Sequence, residues 1–259
     1  MVKSGLAGSE PTPSPSPGQP YADPPAAARE LFGNSIGTAE RYVRLLAGRG
    51  VEWGLLGPNE VPRLWERHVL NCAVVAELVP RACHLVDIGS GAGLPGIVLA
   101  MMLPEVSVTL LEPTLRGERF LAECIAELSL ENASVRRARA EDVAGRISAG
   151  VATARAVARL DRLAGWALGV VRPGGVVLAM KGESAEGEIA EARPVLRRLG
   201  IREIEVLTVG TGKVEPGTTV VRFTSPRARS RGIQTRSRAP GLAGDSGRRP
   251  SEHRRRGAG

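Results

Sequence analysis

The stretch "HLVDIGSGAGLPGIVLA", residues 84–100, constrains the fold more than any other part of the chain. An apolar run ends at Asp87, four glycines follow within eight residues, and a second apolar run begins after Pro95. A short apolar run before a glycine cluster predicts a strand. The run after it predicts a helix with proline in its first turn, where the missing N–H costs nothing. A strand that turns straight into a helix is the building unit of a parallel α/β sheet. In such sheets ligands lie beyond the carboxyl ends of the strands, so this loop is the first candidate for a binding site.

The rest of the chain fits that frame. Strands are expected at residues 85–88, 106–111, 134–137, 151–157 and 174–182, with helices at 95–103, 116–128, 160–171 and 186–199 between or after them. "IREIEVLTV" and "GTTVVRFT" follow one another with only a turn between them, which predicts an antiparallel hairpin at the end of the sheet. Residues 26–46 and 60–78 carry helical periodicity and form an N-terminal extension. The expected organisation is a Pro/Ser leader at 1–24, one compact α/β domain at 25–224 and an Arg-rich tail at 225–259, both ends being too polar or proline-rich to order themselves.

Hydrophobic residues make up 42% of the chain but aromatic ones only 3%, so the core is aliphatic. The net charge of +8 points to a polyanionic partner. The tail accounts for all of it: ten arginines stand there against Asp245 and Glu252, and the remaining chain is balanced. Three cysteines with no Cys-x-x-Cys pair and three scattered histidines give no disulfide framework and no metal spacing. No secretory signal is visible and the longest apolar run is too short to span a bilayer, which predicts a cytoplasmic protein without membrane or metal.

At the loop, Gly91 lies where backbone and ligand approach each other. Asp87 stands two residues before the first glycine and is expected to face the mouth of the site, suited to a cationic amino-acid moiety. Glu112 ends the second strand, where a carboxylate can accept both hydroxyls of a ribose. Together they favour S-adenosylmethionine. A dinucleotide on the G-x-G-x-x-G at Gly91–Gly96, and a tight turn with no ligand, are the other readings.

"VDIGSGAGLPGIVLA", "LLEP", "RFL", "RAED", "ARAVA" and "LAMKG", in this order, resemble the RsmG (glucose-inhibited division protein B) family. The similarity covers roughly residues 30–224, and "WERHVLNCAVVAEL" resembles that family's helix before the first strand. The resemblance implies a class I S-adenosylmethionine-dependent methyltransferase, a Rossmann-like sheet with an N-terminal helical extension. It implies methylation of guanine N7 in 16S ribosomal RNA, within free RNA or the small ribosomal subunit. It also implies that Gly89 and Leu94 line the cofactor, that Ala140 and Glu141 meet its adenine, and that Arg155 lies near it. Arg116-Gly117 stands where many members carry Lys-Arg, and Asn71 where many carry Asp.

No catalytic side chain announces itself. Attack by pyrimidine carbon-5 needs a thiolate, and no cysteine lies after the fourth strand; a ribose hydroxyl needs a base, for which Lys181 is a candidate. Guanine N7 needs no deprotonation. Lys181 is expected to point towards the catalytic mouth, for contact with phosphate or base. Arg67 and His68 belong either to the joint between helix and sheet or beside the substrate. Arg136, Arg137 and Arg139 form either a solvated face or a further RNA contact. A non-catalytic RNA-binding module, a dinucleotide oxidoreductase and a methyltransferase with another acceptor are the rival functions.

Overall fold

The structure is a computed structural model, and it describes residues 21–182 and 184–227. Among them lie seven strands: β1 (His84–Ile88), β2 (Ser107–Leu111), β3 (Ala133–Arg136), β4 (Ala149–Arg155), β5 (Val171–Lys181), β6 (Ile204–Val209) and β7 (Thr218–Thr224). They form one sheet in the order β3-β2-β1-β4-β5-β7-β6. Pairs among β1–β5 are parallel, while β7 runs antiparallel between β5 and β6. The expected hairpin is therefore present, with its second strand against the sheet and its first at the edge. The strand order reverses between β1 and β4, which opens a crevice at their carboxyl ends.

The helices are α1 (Ala26–Phe32), α2 (Ile36–Leu45), α3 (Asn71–Ala73), α4 (Gly96–Met102), α5 (Leu115–Leu128), α6 (Leu160–Val170) and α7 (Ala185–Arg198). In α5, Phe120, Leu121, Cys124 and Leu128 make one buried face at helical spacing. Thr114 caps it, its hydroxyl accepting from Gly117 N at 3.1 Å.

Strand alternation divides the core in two. Leu85, Val108, Leu110, Val151 and Leu178 face the extension together with α4 and α5. Val86, Ile88, Ala152, Ala154, Val177 and Ala179 face α6 and α7. Apolar residues on successive positions of β1 and β4 are what a strand covered on both sides requires.

The extension is less regular than its periodicity predicts. Tight turns at Gly33–Ser35, Pro58–Arg63 and Val74–Leu78 and wide turns at Leu46–Gly50 and Leu64–Leu70 interrupt the α-helical geometry. Pro62 falls within one of these turns and has no N–H to give a continuous helix.

Described residues on either side of 25–224 also pack against the domain. Ala22 is buried and its carbonyl accepts from Trp65 Nε1 at 3.0 Å. Beyond β7, Ser225 N donates to Gly175 O at 2.8 Å and Gly174 N to Ser225 O at 3.0 Å, so pairing continues past residue 224. The remainder of the leader and of the tail lies outside the described residues. No helix among the described residues is long and apolar enough to cross a membrane.

Candidate active site

The loop after β1 is mostly buried but opens at Gly91. Gly91 has φ +53°, and a Cβ built on it meets nothing nearer than Gly89 O at 4.0 Å, so bare backbone faces open space there. Gly96 is the opposite case. A Cβ on it would lie 2.2 Å from Leu110 Cδ2 and 2.7 Å from Asp87 Oδ2, so α4 starts hard against β1 and β2.

Asp87 does not face the mouth of the site. It is fully buried under the loop, where Oδ2 accepts from Gly96 N at 3.1 Å and Oδ1 from Thr153 Oγ1 at 3.0 Å. Alternation along β1 puts it on the face of Leu85, under α4, and not at the open end. Burial pushes its carboxyl up to about 6, against the hydrogen bonds that favour the ionised form. The carboxyl ties the start of α4 to the middle of β4 and so fixes the loop between them.

A second brace was not evident from the sequence. Tyr42 of α2 is fully buried and its hydroxyl donates to Ala92 O at 2.7 Å, reaching the loop from the extension. The only signal was a tyrosine on the apolar face of a helix, whose hydroxyl has to find a partner once buried.

Glu112 meets the loop from β2. Its Oε2 accepts from Gly91 N at 3.0 Å, and its Oε1 from Thr114 N at 3.0 Å and Thr114 Oγ1 at 2.7 Å. Gly117 lies directly against it: a Cβ there would come within 2.6 Å of Glu112 Cγ, so no side chain fits at 117 in this arrangement. Leu94 is buried in the same loop, and Gly89 sits against Val157, from the segment after β4. Ala140 is buried and Glu141 exposed, at a turn (Glu141–Val143) beyond the carboxyl end of β3. Gly89, Gly91, Leu94 and Glu112 are thus gathered around one loop, with Ala140 and Glu141 two strands along.

Arg67, Asn71, Arg155, Lys181 and Thr218 border a cleft of about 440 Å³. Arg155, at the end of β4, points to the extension: it donates to Arg67 O at 3.0 Å and lies 2.9 Å from His68 Nδ1. Its NH1 is 3.4 Å from Cys72 Sγ, and burial pushes that thiol up to about 11. Lys181 leaves β5 on the other face of the sheet, with Val177 and Ala179. It is largely enclosed, donating to Ala158 O at 2.9 Å and to Glu188 Oε1 of α7 at 2.8 Å. It borders the cleft without pointing freely into it.

Arg116 is not in that cleft. With Trp53, Gly54, Leu115 and Arg119 it lines another, of about 600 Å³, at the start of α5. Arg136, Arg137 and Arg139 are exposed at and beyond the end of edge strand β3.

A family model described as rRNA small subunit methyltransferase G matches residues 35–215. The chain is 52% identical over 235 residues to Ribosomal RNA small subunit methyltransferase G of Thermobifida fusca, covering 90% of this chain and 96% of that protein. It is 48% identical over 249 residues to the protein of the same name from Kineococcus radiotolerans, covering 95% and 96%. Among solved structures, M. jannaschii TYW2 in complex with AdoMet is similar at a TM-score of 0.49 and 19% identity, covering 64% of this chain and 78% of that one. With the match spanning the extension, the glycine loop and the strand ends around the cleft, the chain belongs to the rRNA small subunit methyltransferase G (GidB) family.

Proposed function

We propose that this chain, an S-adenosylmethionine-dependent methyltransferase, transfers the methyl group to N7 of a guanine in the 530 loop of 16S ribosomal RNA. One observation carries the choice of acceptor: among the described residues, the groups nearest the cleft that could act as nucleophile or base, Cys72, Lys181 and His68, are engaged by the protein. Cys72 is a buried thiol with its pKa pushed up to about 11. Lys181 is held by Glu188 and Ala158 O. Both ring nitrogens of His68 are bonded, to Glu60 and to Arg155. Carbon-5 of a pyrimidine, a ribose hydroxyl and other acceptors that need activation are poorly served by such a site. The N7 lone pair is nucleophilic without help.

The cofactor fits the bare main chain at Gly91 and the acid beside it. When bound, S-adenosylmethionine supplies a methyl group on a positively charged sulfur. Gly89, Gly91 and Leu94 form its bed, Glu112 keeps acceptor room at Oε2 for a ribose hydroxyl, and Ala140 with Glu141 borders the adenine. Asp87 holds that bed in place from below. Arg155 stands between bed and acceptor cleft. Arg67 supplies positive charge to the RNA there, Lys181 borders the contact with its ammonium paired to Glu188, and Arg116 supplies charge at the second cleft. The enzyme's contribution is orientation and approach, which alone is worth several kcal/mol, on the order of 7 or more, when two reactants are held in line.

The test uses labelled S-adenosylmethionine with purified protein and either free 16S RNA or assembled small subunits. N7-methylguanosine is then reduced and cleaved with aniline, and the cut is mapped. A single cut in the 530 loop is expected. Label on an amine, a ribose or a protein, or no label on either substrate, refutes the reading.

A further inference from the structure

We propose that Glu60 and His68, both in the N-terminal extension, are positioning residues that set the guanidinium of Arg155 at the acceptor cleft through one directional chain of hydrogen bonds. This rests on the reading of that cleft as the acceptor site. Glu60 Oε2 lies 2.7 Å from His68 Nε2, and His68 Nδ1 lies 2.9 Å from Arg155 NH2. An arginine has five donors and no acceptor. Nδ1 must therefore be the bare, accepting nitrogen. The single ring proton is then on Nε2 and is donated to Glu60. The imidazole is neutral and held as one tautomer.

Arg155's side-chain bonds all go to this part of the extension: Arg67 O at 3.0 Å, His68 O at 3.5 Å, His68 Nδ1 and Cys72 Sγ. The sheet supplies Arg155's backbone, and the extension supplies its direction. His68 is 8% exposed, so the middle of the chain is shielded from water, while Glu60 and Arg155 at its two ends are partly exposed.

A second proton on His68 would reverse the arrangement. Nδ1–H would face the Arg155 N–H groups, donor against donor and charge against charge. The charged and titratable groups around the ring are Glu60, Arg63 and Arg67 from its own segment, Arg155 from β4, and the thiol of Cys72 from α3, with Asp87 of β1 beyond it. Burial and Arg155 hold the imidazole below its usual range, against the pull of Glu60. Arg155 is thus fixed at neutral pH and released in acid.

Two substitutions separate positioning from folding. In His68→Asn the side-chain oxygen takes the place of Nδ1, still accepts from Arg155, and cannot titrate. In His68→Leu the acceptor is gone. Methyl transfer to 16S RNA is followed as total label, whichever atom is methylated, from pH 5 to 8, with thermal melts at each pH and cofactor affinity by calorimetry. Wild type should lose kcat on the acid side, and His68→Asn should lose that acid limb. His68→Leu should cost roughly tenfold to a hundredfold in kcat at neutral pH while still melting cooperatively, and His68→Asn should recover most of that loss. An acid limb unchanged in His68→Asn, or a folded His68→Leu with wild-type kcat, overturns the proposal. NMR of labelled histidine gives a readout apart from turnover: the neutral Nε2–H tautomer is expected for His68, and the Nδ1–H tautomer or an imidazolium at pH 7.5 overturns it. A misassigned acceptor atom would change the mapped base and leave these results standing.

Discussion

Gly91 is where a single residue most directly tests the cofactor bed. Its φ of +53° strains any other side chain, and the space above it is open. Gly91→Val therefore puts bulk where the cofactor goes without striking the core. Calorimetry should show cofactor binding lost, while the melt stays cooperative within a few kcal/mol, on the order of 1–3. A variant that binds with wild-type affinity removes the loop from the cofactor site. Asp87 gives a pH-dependent counterpart. Its pKa, about 6, lies above the ordinary carboxyl value of 3.8, so the folded protein holds the proton more tightly than the unfolded chain. Its contribution to stability is then full below pH 3.8 and is lost as pH rises through 6. Asp87→Asn can still accept from Gly96 N and can donate to Thr153 Oγ1, without the buried charge. It should match or exceed wild type in melting temperature at pH 8, with the difference shrinking towards pH 5. Cofactor affinity should change by no more than about 1 kcal/mol, because the carboxyl is a brace; a much larger loss means that its charge reaches the cofactor. The glycines and both acids could be read from the sequence because loop geometry restricts residue type over a few positions. The orientation of Asp87 could not, since it depends on which face of β1 α4 covers.

At the scale of elements, strands and helices of the α/β body were legible because each has one dominant period. The helical character of the extension was legible too; its irregular turns were not, because they answer to what they must reach. Tyr42 and Ala92 are fifty positions apart, and His68 and Arg155 are 87 apart. No local pattern encodes such pairs. The hydroxyl of Tyr42 is the simplest to remove. Tyr42→Phe keeps the ring and leaves Ala92 O without its partner, so it should cost about 1–3 kcal/mol in urea melts. Hydrogen exchange at Gly93 N, which donates to Ser90 O at 2.6 Å within the loop, should quicken in the same variant. Unchanged exchange there would mean that the extension does not steady the loop. The placement of Lys181 follows from the same kind of distant fact. Period two along β5 decides its face, and Glu188 of α7 decides its direction.

For the molecule as a whole, charge and fold are separable. The surplus of positive charge lies from Ser225 onwards, beyond most of what the structure describes. Ser225 itself pairs with Gly174 and Gly175, so a truncation that spares the sheet should end after Arg227. That protein should keep its melting temperature and its cofactor affinity. It should bind 16S RNA more weakly and with a flatter dependence on salt, since fewer phosphates lose their counterions. An unchanged salt slope would make the tail a passive appendage.

The extension's contact with the sheet has a practical side. Leu85, Val108, Leu110 and Val151 form one wall of a core whose other side includes Val43, Leu46, Val69 and Cys72. Cutting the chain ahead of β1 to obtain a minimal methyltransferase would lay that wall open to water and remove the supports of both Ala92 and Arg155. Such a fragment would be greasy on one face and slack at its binding loop. Anyone seeking to graft the RNA specificity of this protein onto another sheet must move the extension and the strand ends together, as one exchangeable block.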